Sequence, residues 1–175
     1  KQGYIVGGFI RDWLLARKTN DIDIAVSGDA IAIARKVAKE IGGKFVLLDD
    51  INGIARVVIV EDKTENREAL GMEWHFDFSS FTGDIKTDLA RRDFTINAMA
   101  VALDDPERLL DPTGGIQDLK DKTLRACGPR SVSDDPVRAL RAVRLAGEFD
   151  LRIESDTVRQ VGGAAASLAS VSPER

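Results

Sequence analysis

The sequence predicts an α+β fold, in which a mixed sheet with helices occupies residues 1–129 and an α-helical part occupies residues 130–175. Two observations lead to this fold class. Over the first part, short apolar segments of strand length are interspersed with segments of helical spacing. From Asp135 onward, the pattern becomes helical throughout. A chain of 175 residues suits one domain, or one domain and a piece of a second.

The strands of the first part are predicted from short apolar segments, which lie at residues 3–6, 22–26, 44–48, 54–60 and 73–79. The last of these alternates most cleanly. Trp74, Phe76 and Phe78 point to one face, and the polar residues between them point to the other. A strand of this kind is expected to be half-buried, with one apolar and one polar face.

Helices of the first part are predicted over residues 9–16 and 30–41, and a glycine pair ends the second helix. The polar segments 61–72 and 81–93 are predicted to be loops. A short helix and then a strand are predicted within residues 95–103, and a turn at 111–115 leads to another short helix.

The helical part is predicted to contain one helix from Asp135 and a second from about Ser155. Four large apolar residues are expected to mark the core side of the first helix: Val137, Leu140, Val143 and Leu145. Residues 171–175 stop within an apparent helix-turn-helix pattern, so we expect the natural chain to be longer.

The composition of the chain excludes several classes of protein and indicates its cellular location. No apolar stretch reaches eighteen residues, so no membrane span is expected. A single cysteine, Cys127, excludes an internal disulfide framework and a four-cysteine zinc site, and favours the cytoplasm. The net charge of −4 disfavours general nucleic-acid coating, although it leaves room for a local basic track.

Asp21 and Asp23 lie one residue apart in the predicted strand that follows the first helix. Alternate residues of a strand share a face, so the two carboxylates project together and repel each other. A divalent hard cation such as Mg²⁺ relieves this repulsion, since it prefers oxygen ligands. The alternative is a solvated strand edge with two surface acids.

A glycine pair, Gly7-Gly8, lies where the first strand ends and the first helix begins. Glycine lets backbone N–H groups approach a ligand closely, and a helix N-terminus attracts anions. Arg11, one turn into the helix, could reach the same phosphates. The alternatives are a plain tight turn for the glycines and a local salt bridge between Arg11 and Asp12.

A third acid, Asp77, lies on the polar face of the strand predicted over residues 73–79. If that strand neighbours the strand of Asp21 and Asp23, Asp77 could serve as a metal ligand or a general base. The alternative is an ordinary exposed polar face. The only histidine, His75, shares this face and is assigned no role.

Two further groups are candidates for nucleotide binding. In the run Arg91-Arg92-Asp93, Arg92 could contact phosphate or ribose and Asp93 a ribose hydroxyl, with helix capping by Asp93 as the alternative. In the helix from Asp135, arginines recur every third residue, at Arg138, Arg141 and Arg144. The alternative for this stripe is a set of ion pairs on a solvated helix face.

Five motifs occur in order along the chain: GGFIRD, DID, RRDFTIN, DPTGGIQDL and DDPVRALRAVR. Together they resemble the class II tRNA nucleotidyltransferase and bacterial poly(A) polymerase family, over nearly the whole chain. One departure is an Asp134-Asp135 pair where the family usually has Glu-Asp, which keeps the charge. The resemblance implies a head of the DNA polymerase β type over residues 1–129 and the start of a helical neck over residues 130–175.

The resemblance also implies roles for individual residues. It makes Asp21 and Asp23 the magnesium ligands, and Gly8 and Arg11 contacts to the triphosphate. It makes Arg92 and Asp93 contacts to phosphate and ribose. It makes Asp135 and Arg138 the pair that recognises the incoming base, and Arg141 and Arg144 further nucleotide contacts. Asp135 could instead be an N-cap, since a proline follows it.

The implied activity is template-independent addition of CMP, AMP or both, from CTP and ATP, to a tRNA 3′ end with Mg²⁺. Poly(A) polymerase activity is an alternative with the same chemistry. A nucleotidyltransferase for small molecules and a catalytically idle head that only binds nucleotide or RNA are the others. No serine or cysteine nucleophile constellation is evident in the sequence, as expected where two metal ions carry the chemistry.

Overall fold

The computed structural model describes residues 2–60 and 72–168, which form two compact units. The first unit is drawn from residues 1–85 and 100–109, and the second from residues 86–99 and 110–175. Compactness alone does not define a domain boundary, so the predicted division at residue 129 stays a prediction. Residues 61–71 of the predicted polar loop and the segment 171–175 lie outside the described residues.

The first unit is built on a mixed sheet. Its strands are β1 (Gly3–Val6), β2 (Asp21–Ser27), β3 (Lys44–Asp49), β4 (Ile54–Val60), β5 (Glu73–Phe81) and β6 (Ala100–Ala102). They lie in the order β3-β4-β5-β2-β1-β6, and the short strand β7 (Leu109–Leu110) follows at the edge. The β2–β5 pair is parallel, whereas β1–β2, β1–β6, β3–β4 and β4–β5 are antiparallel. This mixed sheet confirms the predicted fold class.

Helix α1 (Gly8–Leu14) follows β1, and α2 (Ala30–Ile41) follows β2. Asp29 caps α2, because its carboxylate accepts a hydrogen bond from the Ala32 N–H at 2.9 Å. The helix ends at Gly42, which adopts the left-handed conformation with φ of 68°. Its buried face consists of three alanines, whose small side chains let the helix lie close to the sheet: Ala30, Ala34 and Ala38.

The packing of α2 fixes which face of the sheet is polar. Ile24 and Phe78 belong to the core that contains the α2 alanines. Because successive side chains alternate along a strand, Asp23 and Asp77 lie on the opposite face. The helix-covered face therefore carries the apolar core, and the acidic residues gather on the other face.

The second unit is mainly helical. It contains most of α3 (Ile85–Ala90), a 3₁₀ turn (Thr95–Asn97), α4 (Gly115–Lys120), α5 (Ser131–Asp134), α6 (Val137–Phe149) and α7 (Ser155–Leu168). A small parallel pair joins β8 (Thr123–Leu124) to β9 (Arg152–Ile153). Its largest fully buried side chains include Phe94, Ile96 and Leu145. No helix in the described part of the chain is long and apolar enough to cross a membrane.

Close backbone approach shapes the second unit at Gly115, the first residue of α4. A Cβ atom there would lie 2.2 Å from the carbonyl oxygen of Thr95. The N–H groups of Gly115 and Ile116 both donate to the carboxylate of Asp111, at 2.7 and 2.9 Å. The turn predicted at residues 111–115 is thus held by one acid and requires a glycine at its end.

The loop predicted over residues 81–93 is wrong over Ile85–Ala90, where the chain forms α3. Ile85 and Leu89 lie one helical turn apart and are both buried. Two apolar residues in a short polar segment do not distinguish a short helix from a loop in the sequence. In the folded chain, burial of these two side chains stabilises the helix.

The predicted core side of α6 is confirmed at Leu145 and wrong at Leu140 and Val143. The buried residues are Ala139, Ala142 and Leu145, whereas Leu140 and Val143 are 59% and 61% exposed. Ala139 belongs to a core cluster that also contains Ala164 of α7. Small residues allow close helix packing, so the buried face of α6 combines two alanines with Leu145.

Candidate active site

The centre of the candidate site is strand β2, which carries Asp21 and Asp23 on one face. Val6, the last residue of β1, pairs with Asp23. The Gly7-Gly8 turn follows Val6 directly, so it begins at the same level of the sheet as Asp23. The structure therefore brings the acid pair and the glycine turn to one place, although they are separated in sequence.

The backbone at Gly7 requires glycine. Its φ of 75° and ψ of −145° fall in a region that L-residues with side chains avoid. At Gly8, a Cβ atom would lie 3.2 Å from the Nη2 atom of Arg11. Gly7 is thus needed for the tight entry into α1, and Gly8 leaves room for the Arg11 guanidinium.

Arg11 is buried to 8% exposure and binds its neighbour Asp12 through two hydrogen bonds. Its Nε and Nη2 atoms donate to the two carboxylate oxygens at 3.1 and 2.9 Å. The local salt bridge considered as an alternative is therefore formed. It holds the guanidinium beside Gly8, and the role of Arg11 in phosphate binding stays a prediction.

Asp77 lies on the strand beside the acid pair. β5 runs parallel to β2, with Asp77 in register with Asp23, so the expected neighbouring of these two strands is observed. Across the other edge of β5, Asp77 pairs in register with Arg56 of β4. Arg56 donates from Nε and Nη2 to the two carboxylate oxygens of Asp77 at 2.6 and 2.8 Å.

Arg56 carries the positive charge of this polar face. Its pKa is raised, chiefly by the hydrogen bond to Asp77 and further by the charges of Asp77, Asp21 and Asp23, against the opposing effect of burial. The Arg56 guanidinium therefore lies in the electrostatic field of all three acids. The sequence analysis missed this residue, although a single cation within the apolar run Ile54–Val60 was a usable signal.

His75 was assigned no role, yet it contacts the acid pair. Its Nδ1 lies 3.0 Å from Oδ1 of Asp21, which it faces across the β2–β5 pair. Its Nε2 lies 3.5 Å from Glu73. The contact restrains the carboxylate of Asp21, whose side chain is otherwise mostly exposed.

The acid pair offers two carboxylates to a divalent metal ion. Within residues 2–60 and 72–168, no group of three or more histidine, cysteine, aspartate or glutamate side chains is arranged to hold a metal ion. Mg²⁺ is usually bound by one or two carboxylates plus substrate phosphates rather than by an all-protein cage. Asp21 and Asp23, two hard oxygen donors on one face, match that requirement.

Arg92 and Asp93 lie in the second unit, beside α3 and α6. Arg92 forms an ion pair with Asp88 at 3.3 Å, and its buried Nε atom lacks a hydrogen-bond partner among the described residues. Asp93 is buried, and its Oδ1 accepts from the Phe94 N–H at 2.8 Å. Its Oδ2 lies 2.9 Å from Nη2 of Arg141. Asp93 thus has local partners, one of which is a predicted nucleotide contact.

Asp135 and Arg138 lie close together at the start of α6, with 4.0 Å between Oδ2 and Nε. Arg138 is held in place by the carbonyl oxygens of Arg91 and Ser131, which accept from its Nη1 atom at 3.3 and 3.1 Å. Asp135 also accepts from the Val137 N–H at 3.3 Å, although the N-cap of α6 is Pro136.

The arginine stripe of α6 is not uniform. Arg141 pairs with Asp93. Arg144 pairs with Glu148 at 3.1 Å on an exposed side of the helix, in the (i, i+4) geometry of a surface ion pair. The predicted site residues are divided between the two units, with Gly7, Gly8, Arg11, Asp21, Asp23 and Asp77 in the first and Arg92, Asp93, Asp135, Arg138, Arg141 and Arg144 in the second.

The single cysteine does not supply a nucleophile. Burial raises the pKa of the Cys127 thiol to about 12, and the nearby charge of Asp93 adds to the effect. The thiol is therefore protonated near neutral pH, and a protonated thiol is a poor nucleophile.

A mixed sheet that carries an acid pair on its central strand, next to a glycine turn into a helix, defines the head of a nucleotidyltransferase. The sequence profile of the poly A polymerase head domain matches residues 3–125. The chain belongs to this family, which is the class II tRNA nucleotidyltransferase and bacterial poly(A) polymerase family.

Curated relatives match the chain over most of its length. It is 43% identical over 173 residues to the CC-adding tRNA nucleotidyltransferase of Geobacter sulfurreducens, covering 98% of this chain and 38% of that protein. It is 39% identical over 162 residues to the A-adding tRNA nucleotidyltransferase of Aquifex aeolicus, covering 89% of this chain and 19% of that protein. The chain thus spans well under half the length of these relatives.

Solved structures show the same fold. A CCA-adding enzyme in complex with ATP superposes with a TM-score of 0.81 at 37% identity, covering 99% of this chain and 41% of that chain. The Thermotoga maritima CCA-adding enzyme complexed with tRNA gives a TM-score of 0.78 at 38% identity, covering 98% and 40%.

Proposed function

We propose that the chain is the catalytic head of an enzyme that adds CMP, AMP or both, from CTP and ATP, to the 3′ end of tRNA. The observation that carries this proposal is the register between β1 and β2, which sets the Gly7-Gly8 turn beside Asp23. A triphosphate needs both features, because its phosphates bind backbone N–H groups as well as a metal ion held by carboxylates.

In this proposal, Asp21 and Asp23 hold Mg²⁺, and His75 restrains Asp21 through their 3.0 Å contact. Bound Mg²⁺ would neutralise charge on the phosphates and lower the pKa of the attacking hydroxyl. Gly7 and Gly8 allow the triphosphate to approach the backbone N–H groups closely. Arg11, held beside Gly8, contributes positive charge. Overall, the RNA 3′ oxygen forms a bond to the α-phosphorus of the nucleotide and pyrophosphate leaves.

Selection of the base is assigned to Asp135 and Arg138. ATP and CTP both present an exocyclic amine, which donates, beside a ring nitrogen that accepts. A carboxylate only accepts and a guanidinium only donates, so the pair matches this pattern. GTP and UTP present the reverse pattern. The two carbonyl contacts that hold the Arg138 guanidinium support this role, because a base-reading group must be kept in place.

The proposal also covers the acceptor of the nucleotide, the remaining site residues and the cellular location. Relatives named as CC-adding and A-adding tRNA nucleotidyltransferases, and a solved relative complexed with tRNA, support tRNA as the acceptor. Arg92 and Asp93 are assigned to phosphate and ribose, with Arg141 holding Asp93 and Arg144 as an outer nucleotide contact. Asp77 lies beside the acid pair on the neighbouring strand, where Arg56 binds it. A cytoplasmic location, expected from the single cysteine, completes the proposal.

The test is extension of tRNA that lacks its 3′ CCA, with CTP alone, ATP alone and both, in the presence of Mg²⁺. We expect incorporation of CMP, AMP or both by the chain, and its loss in Asp21→Ala and Asp23→Ala, because a single acid does not hold the ion. Circular dichroism of the two variants should match that of the parent. Absence of incorporation together with absence of Mg²⁺-dependent CTP and ATP binding would contradict the proposal, as would normal transfer by either variant.

A further inference from the structure

Three acids on two neighbouring strands share one polar face with the guanidinium of Arg56. Asp23 and Asp77 are in register across the parallel β2–β5 pair, and Asp21 lies on the same face of β2. Arg56 reaches this face from β4, on the far side of Asp77. Its Nε and Nη2 atoms bind Asp77 on this face.

The geometry of the Arg56–Asp77 pair leaves little of Asp77 available to another cation. The two nitrogens of Arg56 bind the two different oxygens of Asp77, at 2.6 and 2.8 Å. A two-point contact of this kind is planar and strong, and it uses one lone pair on each oxygen, the two lone pairs with which the carboxylate would chelate a metal ion. Both side chains are partly buried, with 30% and 25% of their surface exposed, so solvent screens the pair only in part.

Register alone would allow Asp21, Asp23 and Asp77 to gather around one ion, since the three acids share a face on adjacent strands. The guanidinium removes the third acid from such a group and adds a positive charge near the other two.

We propose that Arg56 withholds Asp77 from the metal, so that the free protein offers Mg²⁺ only two carboxylates and binds it tightly only together with the nucleotide triphosphate. This inference rests on the proposed function, because it concerns the ion that Asp21 and Asp23 hold. Arg56 is then a positioning residue that ties metal binding to the arrival of substrate. In thermodynamic terms, the nucleotide and the metal each raise the affinity for the other.

The experiment measures binding of Mn²⁺, as a spectroscopic substitute for Mg²⁺, to the chain without nucleotide. In Arg56→Gln the positive charge is lost and Asp77 becomes free to coordinate. We expect the Mn²⁺ affinity to rise at least tenfold. In the double variant Arg56→Gln with Asp77→Asn, the third ligand is absent, and most of this gain should disappear. An unchanged or weaker affinity in Arg56→Gln would overturn the proposal, and a weaker one would show that Arg56 presents Asp77 to the metal.

The matched control is Lys36→Gln, which removes the same charge from an exposed ion pair with Glu40 on α2. It should leave the Mn²⁺ affinity unchanged. Circular dichroism and a thermal melt establish whether Arg56→Gln is folded. A second measurement needs no substitution at Arg56: a non-hydrolysable CTP or ATP analogue should raise the Mn²⁺ affinity of the parent chain at least tenfold. Equal affinity with and without the analogue would overturn the proposal independently.

Failure of this inference is distinguishable from failure of the proposed function. Asp21→Asn should abolish Mn²⁺ binding in the parent chain, where Arg56 still holds Asp77 and only one carboxylate remains for the ion. If Asp21→Asn leaves Mn²⁺ binding intact, the metal assignment itself is wrong. If it abolishes binding while Arg56→Gln changes nothing, the metal assignment stands and only the role of Arg56 is lost.

Discussion

Gly115 illustrates how a single hydrogen atom in place of a side chain allows a turn to close. An added Cβ atom would lie 2.2 Å from the Thr95 carbonyl oxygen, which is backbone and cannot rotate away. We expect Gly115→Ala to destabilise the chain by about 1–3 kcal/mol or more, as for other overpacked sites. Urea unfolding followed by circular dichroism measures the loss.

The control for this substitution is Gly147→Ala in α6. A Cβ atom at Gly147 meets nothing within 4 Å, and the residue lies inside a helix. Alanine is favoured over glycine there, so we expect a gain of about 0.5–1 kcal/mol. If Gly115→Ala were as stable as the parent while Gly147→Ala behaved as expected, the close approach at Thr95 would be disproved.

Base selection is a residue-scale prediction for Asp135 and Arg138. Opposite GTP or UTP, this pair would set acceptor against carbonyl and donor against donor, which leaves polar groups unpaired at about 1–3 kcal/mol each. We expect the chain to bind ATP or CTP and to reject GTP and UTP. Asp135→Ala and Arg138→Ala should loosen that rejection or lose base binding, while Mn²⁺ binding at Asp21 and Asp23 persists.

Competition binding of the four nucleotides by the parent and both variants tests this prediction. Lys36→Gln serves again as a charge-matched variant outside the site. Wild-type nucleotide preference in both Asp135→Ala and Arg138→Ala would make their 4.0 Å contact an ordinary ion pair at a helix start.

The shared face of Asp21 and Asp23 could be predicted from the sequence, because alternate residues of a strand lie on one face. Contacts that depend on strand register could not. Arg56 and His75 were missed because their importance depends on pairing with Asp77 and Asp21 across strand boundaries. The tertiary structure decides which strand pairs with a given segment, and a local sequence pattern does not contain this information.

At the scale of the element, helix α6 contains one buried leucine and one exposed leucine. Leu145 is 1% exposed, whereas Leu140 is among the large apolar residues open to solvent. We expect Leu145→Ala to cost about 2–5 kcal/mol, because it removes buried contacts and leaves a cavity. Leu140→Ala should change stability by less than about 0.5 kcal/mol.

The two leucine variants form a matched pair, since residue type, helix and substitution are identical. Urea unfolding of both chains gives the two free-energy changes on one scale. Equal losses would show that α6 presents both leucines to the core, as its large residues suggested, and would contradict the exposure of Leu140.

Elements were predicted from the sequence where periodicity extends over several turns or strand residues. The helix over residues 30–41 and the strand over 54–60 have the bounds that their patterns predicted. Short elements such as α5 and β9 were not predicted, because two to four residues contain no full period. Their conformations are stabilised by tertiary contacts, for example the parallel pairing of β9 with β8.

At the scale of the whole molecule, the negative net charge limits the affinity for RNA. The chain has a net charge of −4, so neutralising tRNA phosphates releases few counterions. We expect tRNA binding in the non-specific range, with a Kd of about 10⁻⁶–10⁻⁴ M at physiological salt. Fluorescence anisotropy with labelled tRNA lacking its CCA end measures this, and nanomolar binding at the same salt would refute it.

The overall fold class was predictable because the alternation of short strands with helices extends over more than half of the chain. The grouping of residues into compact units was not, since residues 86–99 belong to one unit and residues 100–109 to the other. The amino-acid composition does not change where the chain passes from one unit to the other. The sequence therefore contains no linker that would mark these points.

The parallel pairing of β2 with β5 also sets an order of events while the chain folds. Asp23 and Asp77 are separated along the chain by α2 and by the hairpin of β3 and β4. Closing so long a loop costs entropy before any strand contact is gained, so non-local pairs of this kind form late. A refolding chain therefore acquires its helix and hairpin first, and the two carboxylate strands meet only afterwards. Amide protons of β2 and β5 should become protected together, in the slower phase of a pulse-labelling experiment.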